Sequence, residues 1–282
     1  LVGHKNAVQA VAVLDKNRIV SASDDHTLKI WNLATGTVEQ TLNHQDRVSA
    51  VAVLDVQRIV SASWDGTLKV WNLTTSIAEQ TLTGHADGVR SVVVLDRQRV
   101  VSASMDRTLK VWNFTNNAVR PVLQKQNSYA HTYSVYQIVA LDENRFASIS
   151  RDETIKIWNL DTGTVEHTLI DLGTKDYKGR FRAYYVFMLV LHQQSIISVV
   201  SCPIRRSSTF KVWNLTTGRV EQTFTSNEEE QLARILDANR IISASNNPII
   251  KIWNLHTGQI EQTLKGHGDK IHNLWPVDTQ HI

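Results

Sequence analysis

The chain has 282 residues, of which 42% are apolar and 20% charged, which is ordinary for a globular protein long enough to bury a sizeable core. Its formal net charge of +3 is mild and its basic residues form no run, so charge alone does not argue for nucleic acid. The one cysteine, Cys202, excludes an internal disulfide and favours a reducing, cytoplasmic compartment, and the longest apolar run, Ala183–Leu191, is about half of what a membrane span needs.

Taken in chain order, Gly3-His4 precedes the apolar run VQAVAVLD (8–15), then RIVSAS (18–23), TLKIWNL (27–33) and GTVEQTL (36–42). The same grammar returns around TLKVWNL (67–73), TLKVWNF (108–114), TIKIWNL (154–160), TFKVWNL (209–215) and IIKIWNL (249–255). The tryptophans that mark it, Trp31, Trp71, Trp112, Trp158, Trp213 and Trp253, lie 40, 41, 46, 55 and 40 residues apart. Each piece is short, rich in Val, Ile, Thr and Trp, and bounded by turn residues, which predicts a strand. Four strands recurring about every 40 residues predict an all-β chain of four-stranded antiparallel blades, each of which needs neighbours to cover its faces. The predicted blades cover roughly 1–43, 44–83, 84–124, 125–170, 171–225 and 226–265, and a partial seventh covers 266–282.

The turns between the first and second strands share Asp and Arg three apart: Asp15/Arg18, Asp55/Arg58, Asp96/Arg99, Asp142/Arg145 and Asp237/Arg240. Asp favours the first position of a turn by bonding its own backbone, so the pattern reads as hairpin chemistry rather than a charged binding rim.

These residues together resemble the WD-repeat β-propeller family over essentially the whole chain. The motifs that carry the likeness are Gly3-His4, Gly84-His85 and Gly266-His267, the Asp turn, and the tryptophan, with Trp-Asn in place of the family's usual Trp-Asp. The resemblance implies a hydrogen-bonded tetrad of His, Ser, Asp and Trp in each well-formed blade. Those sets are His4, Ser21, Asp25 and Trp31; His44, Ser61, Asp65 and Trp71; His85, Ser102, Asp106 and Trp112; and His131, Ser148, Asp152 and Trp158. Ser23 and its equivalents could stand in for the first serine. Because the set recurs once per blade, it reads as scaffold and not as a nucleophilic triad. The fifth blade departs from the pattern, with Phe181 and Ser207 at the His and Asp positions, a long approach at 171–182 and an enlarged turn at 202–208. The sixth has SNEEEQ (226–231) for the Gly-His and Asn247 for Asp, and both blades are expected to be less rigid. The partial seventh repeat implies a seven-bladed ring cut from a longer polypeptide with further domains, the alternative being a longer array. The high likeness between repeats is similar to WD-repeat regions of bacterial signalling or STAND-type NTPase proteins, where a propeller senses a ligand.

Near-identical repeats act as their own control. The residue before the tetrad Asp diverges: Asp24, Trp64, Met105 and Arg151, then Arg206 and Asn246. So do the positions three and five after the His: Ala7 and Gln9, Arg47 and Ser49, Gly88 and Arg90, Ser134 and Tyr136, then Lys270 and His272, with Tyr184 and Val186 by looser alignment. The resemblance places these positions on the top face near the central channel. Trp64, Met105 and Tyr136 with Arg47, Arg90, Arg151 and Arg206 are residue types enriched at interface cores. They predict a face that takes a protein or peptide, with Trp64 and Met105 as apolar anchors and the arginines for acidic or phosphorylated groups. The alternative is a phosphopeptide or acidic-degron receptor of a ligase complex. No zinc spacing, phosphate loop or paired nucleophile is present, so no cofactor, metal or enzymatic activity is expected, and Cys202 reads as a structural or incidental thiol.

Overall fold

The computed structural model describes residues 1–114, 118–121, 131–170, 185–192, 194–202, 206–245, 247–266, 271 and 274. They form 24 strands in six antiparallel sheets of four, each ordered as its strands occur in the chain. The first sheet holds β1 (Val8–Asp15), β2 (Arg18–Ser23), β3 (Thr27–Asn32) and β4 (Val38–Asn43), and the second β5 (Val48–Asp55), β6 (Arg58–Ser63), β7 (Leu68–Asn72) and β8 (Ile77–Leu82). The third holds β9 (Val89–Val94), β10 (Arg99–Ser104), β11 (Leu109–Asn113) and β12 (Ala118–Pro121), and the fourth β13 (Val135–Ala140), β14 (Arg145–Ser150), β15 (Thr154–Asn159) and β16 (Thr164–Ile170). The fifth comprises β17 (Tyr185–His192), β18 (Ser195–Cys202), β19 (Ser207–Asn214) and β20 (Arg219–Ser226). The sixth comprises β21 (Glu230–Ile235), β22 (Arg240–Ser245), β23 (Ile249–Asn254) and β24 (Ile260–Lys265). The fold is therefore all-β, a series of four-stranded meanders consistent with a multi-bladed β-propeller.

Two compact units can be distinguished, Leu1–Asp152 with Trp158–Val165, and Glu153–Ile157 with Glu166–Ile282. In the first unit, Leu28, Ile30 and Leu42 share a core with Val48, Ile59 and Trp71 of the next sheet. Val60, Leu68 and Val70 do the same with Val89, Val100 and Trp112. Each sheet thus covers one face with its neighbour, as strands that are apolar on both faces require. In the second unit, Ile197, Val199 and Phe210 pack with Ala233, Ile241 and Trp253. Ile271 and Leu274 are buried against Leu236, Ile242 and Ile252. The rest of the expected seventh repeat, the approach segment 171–182 with Phe181, and Asn246 lie outside the described residues.

The four proposed tetrads are each joined by hydrogen bonds. Trp71 Nε1 donates to Ser61 Oγ at 2.8 Å, Ser61 Oγ lies 2.7 Å from His44 Nε2, and His44 Nδ1 lies 3.1 Å from Asp65. Equivalent chains join Trp31, Ser21, His4 and Asp25; Trp112, Ser102, His85 and Asp106; and Trp158, Ser148, His131 and Asp152. Burial of His44 lowers its pKa despite Asp65, so the ring is neutral; Nδ1–H donates to the carboxylate and Nε2 accepts from the serine. Burial of Asp65 raises its pKa, but hydrogen bonds from His44 and Thr67 outweigh this and hold it well below the usual carboxylate range. Gly3 is needed in the first blade because a Cβ there would come within 2.9 Å of the Trp31 ring.

The sixth sheet reaches a different solution. Glu230 pairs with Ser245 as Val48 pairs with Ser63, so a fully buried glutamate stands where the second, third and fourth sheets bury Val48, Val89 and Val135. By the same register Ser226 occupies the His position. Lys251, equivalent to the half-buried Lys29, is buried and bonds Ser226 at 3.1 Å, Glu230 at 3.0 Å and Glu228 at 2.9 Å. Glu228 in turn accepts from Ser245. An ammonium between two carboxylates thus takes the place of the imidazole in the blade where a looser structure is expected. The fifth sheet also differs from expectation. Its turn is not enlarged as far as 202–208, because the ladder continues to the pair Cys202 and Ser207 and both hairpin strands are eight residues long.

Candidate functional site

In an antiparallel meander the turn between the second and third strands lies at the end opposite the first hairpin, beside the loop that enters the first strand. Two serines fix that end. The first serine of each Ser-Ala-Ser joins the tetrad. The second pins the loop: Ser63 Oγ donates to Asp46 O at 3.2 Å and accepts from Asp65 N at 3.1 Å, and Ser23, Ser104 and Ser150 do likewise. The divergent residue before the tetrad Asp is then tied by its own N–H to the carbonyl of the residue three after the His. These bonds are Asp24 to Ala7, Trp64 to Arg47, Met105 to Gly88, and Arg151 to Ser134, at 2.9 to 3.0 Å. The backbone itself therefore brings together the positions at which the repeats differ.

Within the first unit, seven of these residues line one cavity of about 200 Å³: Gln9, Asp24, Arg47, Ser49, Trp64, Arg90 and Tyr136. Trp64 is half-buried, and its backbone sits against Gly88, where a Cβ would come within 3.3 Å of the Trp64 Cα. The Arg47 and Arg90 guanidinium carbons lie 5.4 and 5.2 Å from the centre of the Trp64 ring, and that of Arg90 lies 6.0 Å from the Tyr136 ring. These distances are within the range of cation–π attraction. Among the described residues, no carboxylate lies within 4.0 Å of either guanidinium. Across the lining, Gln9 Nε2 donates to one Asp24 oxygen at 2.8 Å, and the Ser49 hydroxyl is turned inward to the carbonyls of Ala62 and Val89.

Trp64 is thus not a bare apolar surface: two guanidinium groups lie over its ring. Met105 and Arg151 occupy the equivalent turns of the third and fourth sheets, but they do not line the cavity. Arg206 lies in the second unit, exposed, with left-handed backbone at φ 49° in the hairpin between β18 and β19. Tyr184, Lys270 and His272 lie outside the described residues, as does the side chain of Val186. Three lining residues, Gln9, Asp24 and Ser49, were missed by reading residue types alone. They are polar members of the same divergent set, and their position in the repeat was the available signal.

A WD40 family model, described as "WD domain, G-beta repeat", matches residues 1–32, 36–72 and 78–113, so the first 113 residues carry WD40 repeats. WD40 domains are characteristically non-catalytic scaffolds for protein interaction. Among the described residues there is no group of three or more His, Cys, Asp or Glu side chains able to hold a metal ion, and no helix long and apolar enough to cross a membrane.

Proposed function

We propose that the chain is a non-enzymatic binding module that takes a protein or peptide at the cavity end of its first sheets, with Arg47 and Arg90 receiving an acidic group of the partner. The observation that carries this is the state of those two arginines: both stand over Trp64 at a cavity, and neither has a carboxylate partner among the described residues. A guanidinium held by an aromatic ring keeps its N–H edge free for a carboxylate or phosphate and has already lost much of its rotamer freedom. The Asp24 carboxylate in the same lining favours a singly charged carboxylate over a phosphate dianion, and so an acidic segment over a phosphodegron. Met105 and Arg151 extend the contact surface beyond the cavity, and Arg206 is a separate basic point. In this reading residues 1–282 are one WD-repeat propeller in which 266–282 begin a seventh blade. The near-identity of the repeats supports a ligand-sensing role within a larger regulatory protein.

A peptide array of acidic, phosphorylated and neutral sequences, probed with the wild type and the Arg47→Ala/Arg90→Ala double variant, tests the proposal. The wild type should select acidic peptides. The double variant should lose at least tenfold in affinity, since a hydrogen bond to a charged group contributes about 1.5–3 kcal/mol. Equal binding by the two proteins would remove the proposal.

A further inference from the structure

The cavity carries free groups of both signs. Arg47 and Arg90 supply guanidinium donors, and Asp24 supplies a carboxylate whose single hydrogen-bond partner is Gln9. One Asp24 oxygen accepts from Gln9 Nε2, and among the described residues the other is left as an open, negatively charged hydrogen-bond acceptor. Asp24 is neutralised by neither arginine, because no N–O approach within 4.0 Å joins it to Arg47 or Arg90. The contrast with the hairpins is direct: there Asp15, Asp55, Asp96, Asp142 and Asp237 each close on an arginine at 2.6 to 2.8 Å. A half-buried acid and two arginines on one small cavity, held apart by their own supports, form a site of split charge.

A purely anionic ligand would satisfy the arginines but bring its charge towards Asp24, at a Coulombic cost that grows as water is displaced. A ligand with a cationic donor beside its acid satisfies both sides. The volume of about 200 Å³ is below that of ordinary drug-sized pockets, so it suits one or two side chains or a chain terminus. We infer that the site recognises a bipolar ligand: an acidic group held by Arg47 and Arg90, with an adjacent ammonium or guanidinium held by Asp24. The cation is supplied either by a basic side chain next to the acidic residue or by a free α-amino terminus. This rests on the proposed function and narrows its ligand class.

The test is calorimetric titration of the wild type, Asp24→Asn and the Arg47→Ala/Arg90→Ala double variant with capped and uncapped probes. The probes are acetyl-Gly-Glu-Lys-Gly-amide, the same peptide with norleucine for lysine, and Glu-Gly-amide with a free or an acetylated amino group. The wild type should bind at least one cationic probe fivefold or more tighter than its uncharged counterpart, and the pair showing the difference identifies the source of the cation. Asp24→Asn should erase that difference while leaving binding of the norleucine peptide unchanged or tighter. If the lysine and the free amine make no difference, yet the double variant loses every acidic probe, the bipolar inference fails and the acidic-ligand proposal stands. If no probe binds the wild type at millimolar concentration, both fail.

Discussion

The same residue type serves opposite ends of these sheets in opposite ways. At the first hairpin, Arg18, Arg58, Arg99, Arg145 and Arg240 are each bonded to an aspartate three residues earlier. At the other end, Arg47 and Arg90 lie over Trp64, with no carboxylate within 4.0 Å of either guanidinium among the described residues. The first arrangement neutralises the guanidinium within its own turn and contributes to a turn that repeats almost unchanged. The second supports the guanidinium from one side and leaves its donors unused. Repetition of a charged pair therefore marks scaffold, and under the proposed function a charge that breaks the repeat and lacks its pair marks the surface that meets a partner.

The largest effect should come from what joins the two ends. Ser61→Ala removes the acceptor of Trp71 Nε1 and the donor to His44 Nε2 inside the second sheet. It should destabilise the fold by about 1–3 kcal/mol in urea unfolding. A loss near zero would show that the tetrad contributes little to stability.

The tetrads also set a pH response. Asp25, Asp65 and Asp106 have depressed native pKa values, so their contribution is complete above the unfolded value and is lost as pH falls towards the native one. His44 is also depressed by burial, so the unfolded chain binds its proton first and stability begins to fall below about pH 6.5. Urea midpoints should therefore decline in two stages, one from about pH 6.5 and a steeper one from about pH 5 downward. His44→Gln should remove part of the first stage; an unchanged profile would mean that His44 does not titrate in this way.

Trp64→Ala should change stability little, because the ring is only half-buried, yet it frees both arginines to move. Two cation–π supports of about 0.5–1 kcal/mol each predict a roughly five- to thirtyfold loss of acidic-peptide affinity by titration. Unaltered affinity would mean that the ring does not position the arginines. The smallest effect belongs to Arg58→Ala. A half-exposed pair of this kind contributes about 1 kcal/mol or less, and peptide affinity should not move.

Much of the scaffold was legible because each blade restates it: strand lengths, the Asp-Arg turns and the Trp spacing are all visible in one chain. The cavity was half legible. Its seven lining residues all stand at positions where the repeats diverge, but which of those side chains meet depends on their directions across three or four sheets. Residue type pointed to Trp64 as a bare anchor, whereas its ring carries Arg47 and Arg90. It also favoured Met105 and Arg151, which lie outside the lining, over Asp24 and Gln9, which lie within it. The sixth sheet's substitute for the imidazole was hidden for a related reason. Loss of the imidazole reads as loosening only until Glu230 is aligned with Val48 and Val89, which shows a carboxylate entering a buried position that a lysine must answer.

Sheet three offers the most direct test, since it carries one arginine of each kind. Arg90→Gln and Arg99→Gln remove the same charge from the same sheet, at the cavity and at the hairpin respectively. Affinity for the best acidic peptide from the array, measured by calorimetry for both variants at one salt concentration, should fall at least fivefold for Arg90→Gln and stay within twofold of wild type for Arg99→Gln. Equal losses, or a larger loss for Arg99→Gln, would show that binding follows net charge and not the arginines that stand over Trp64.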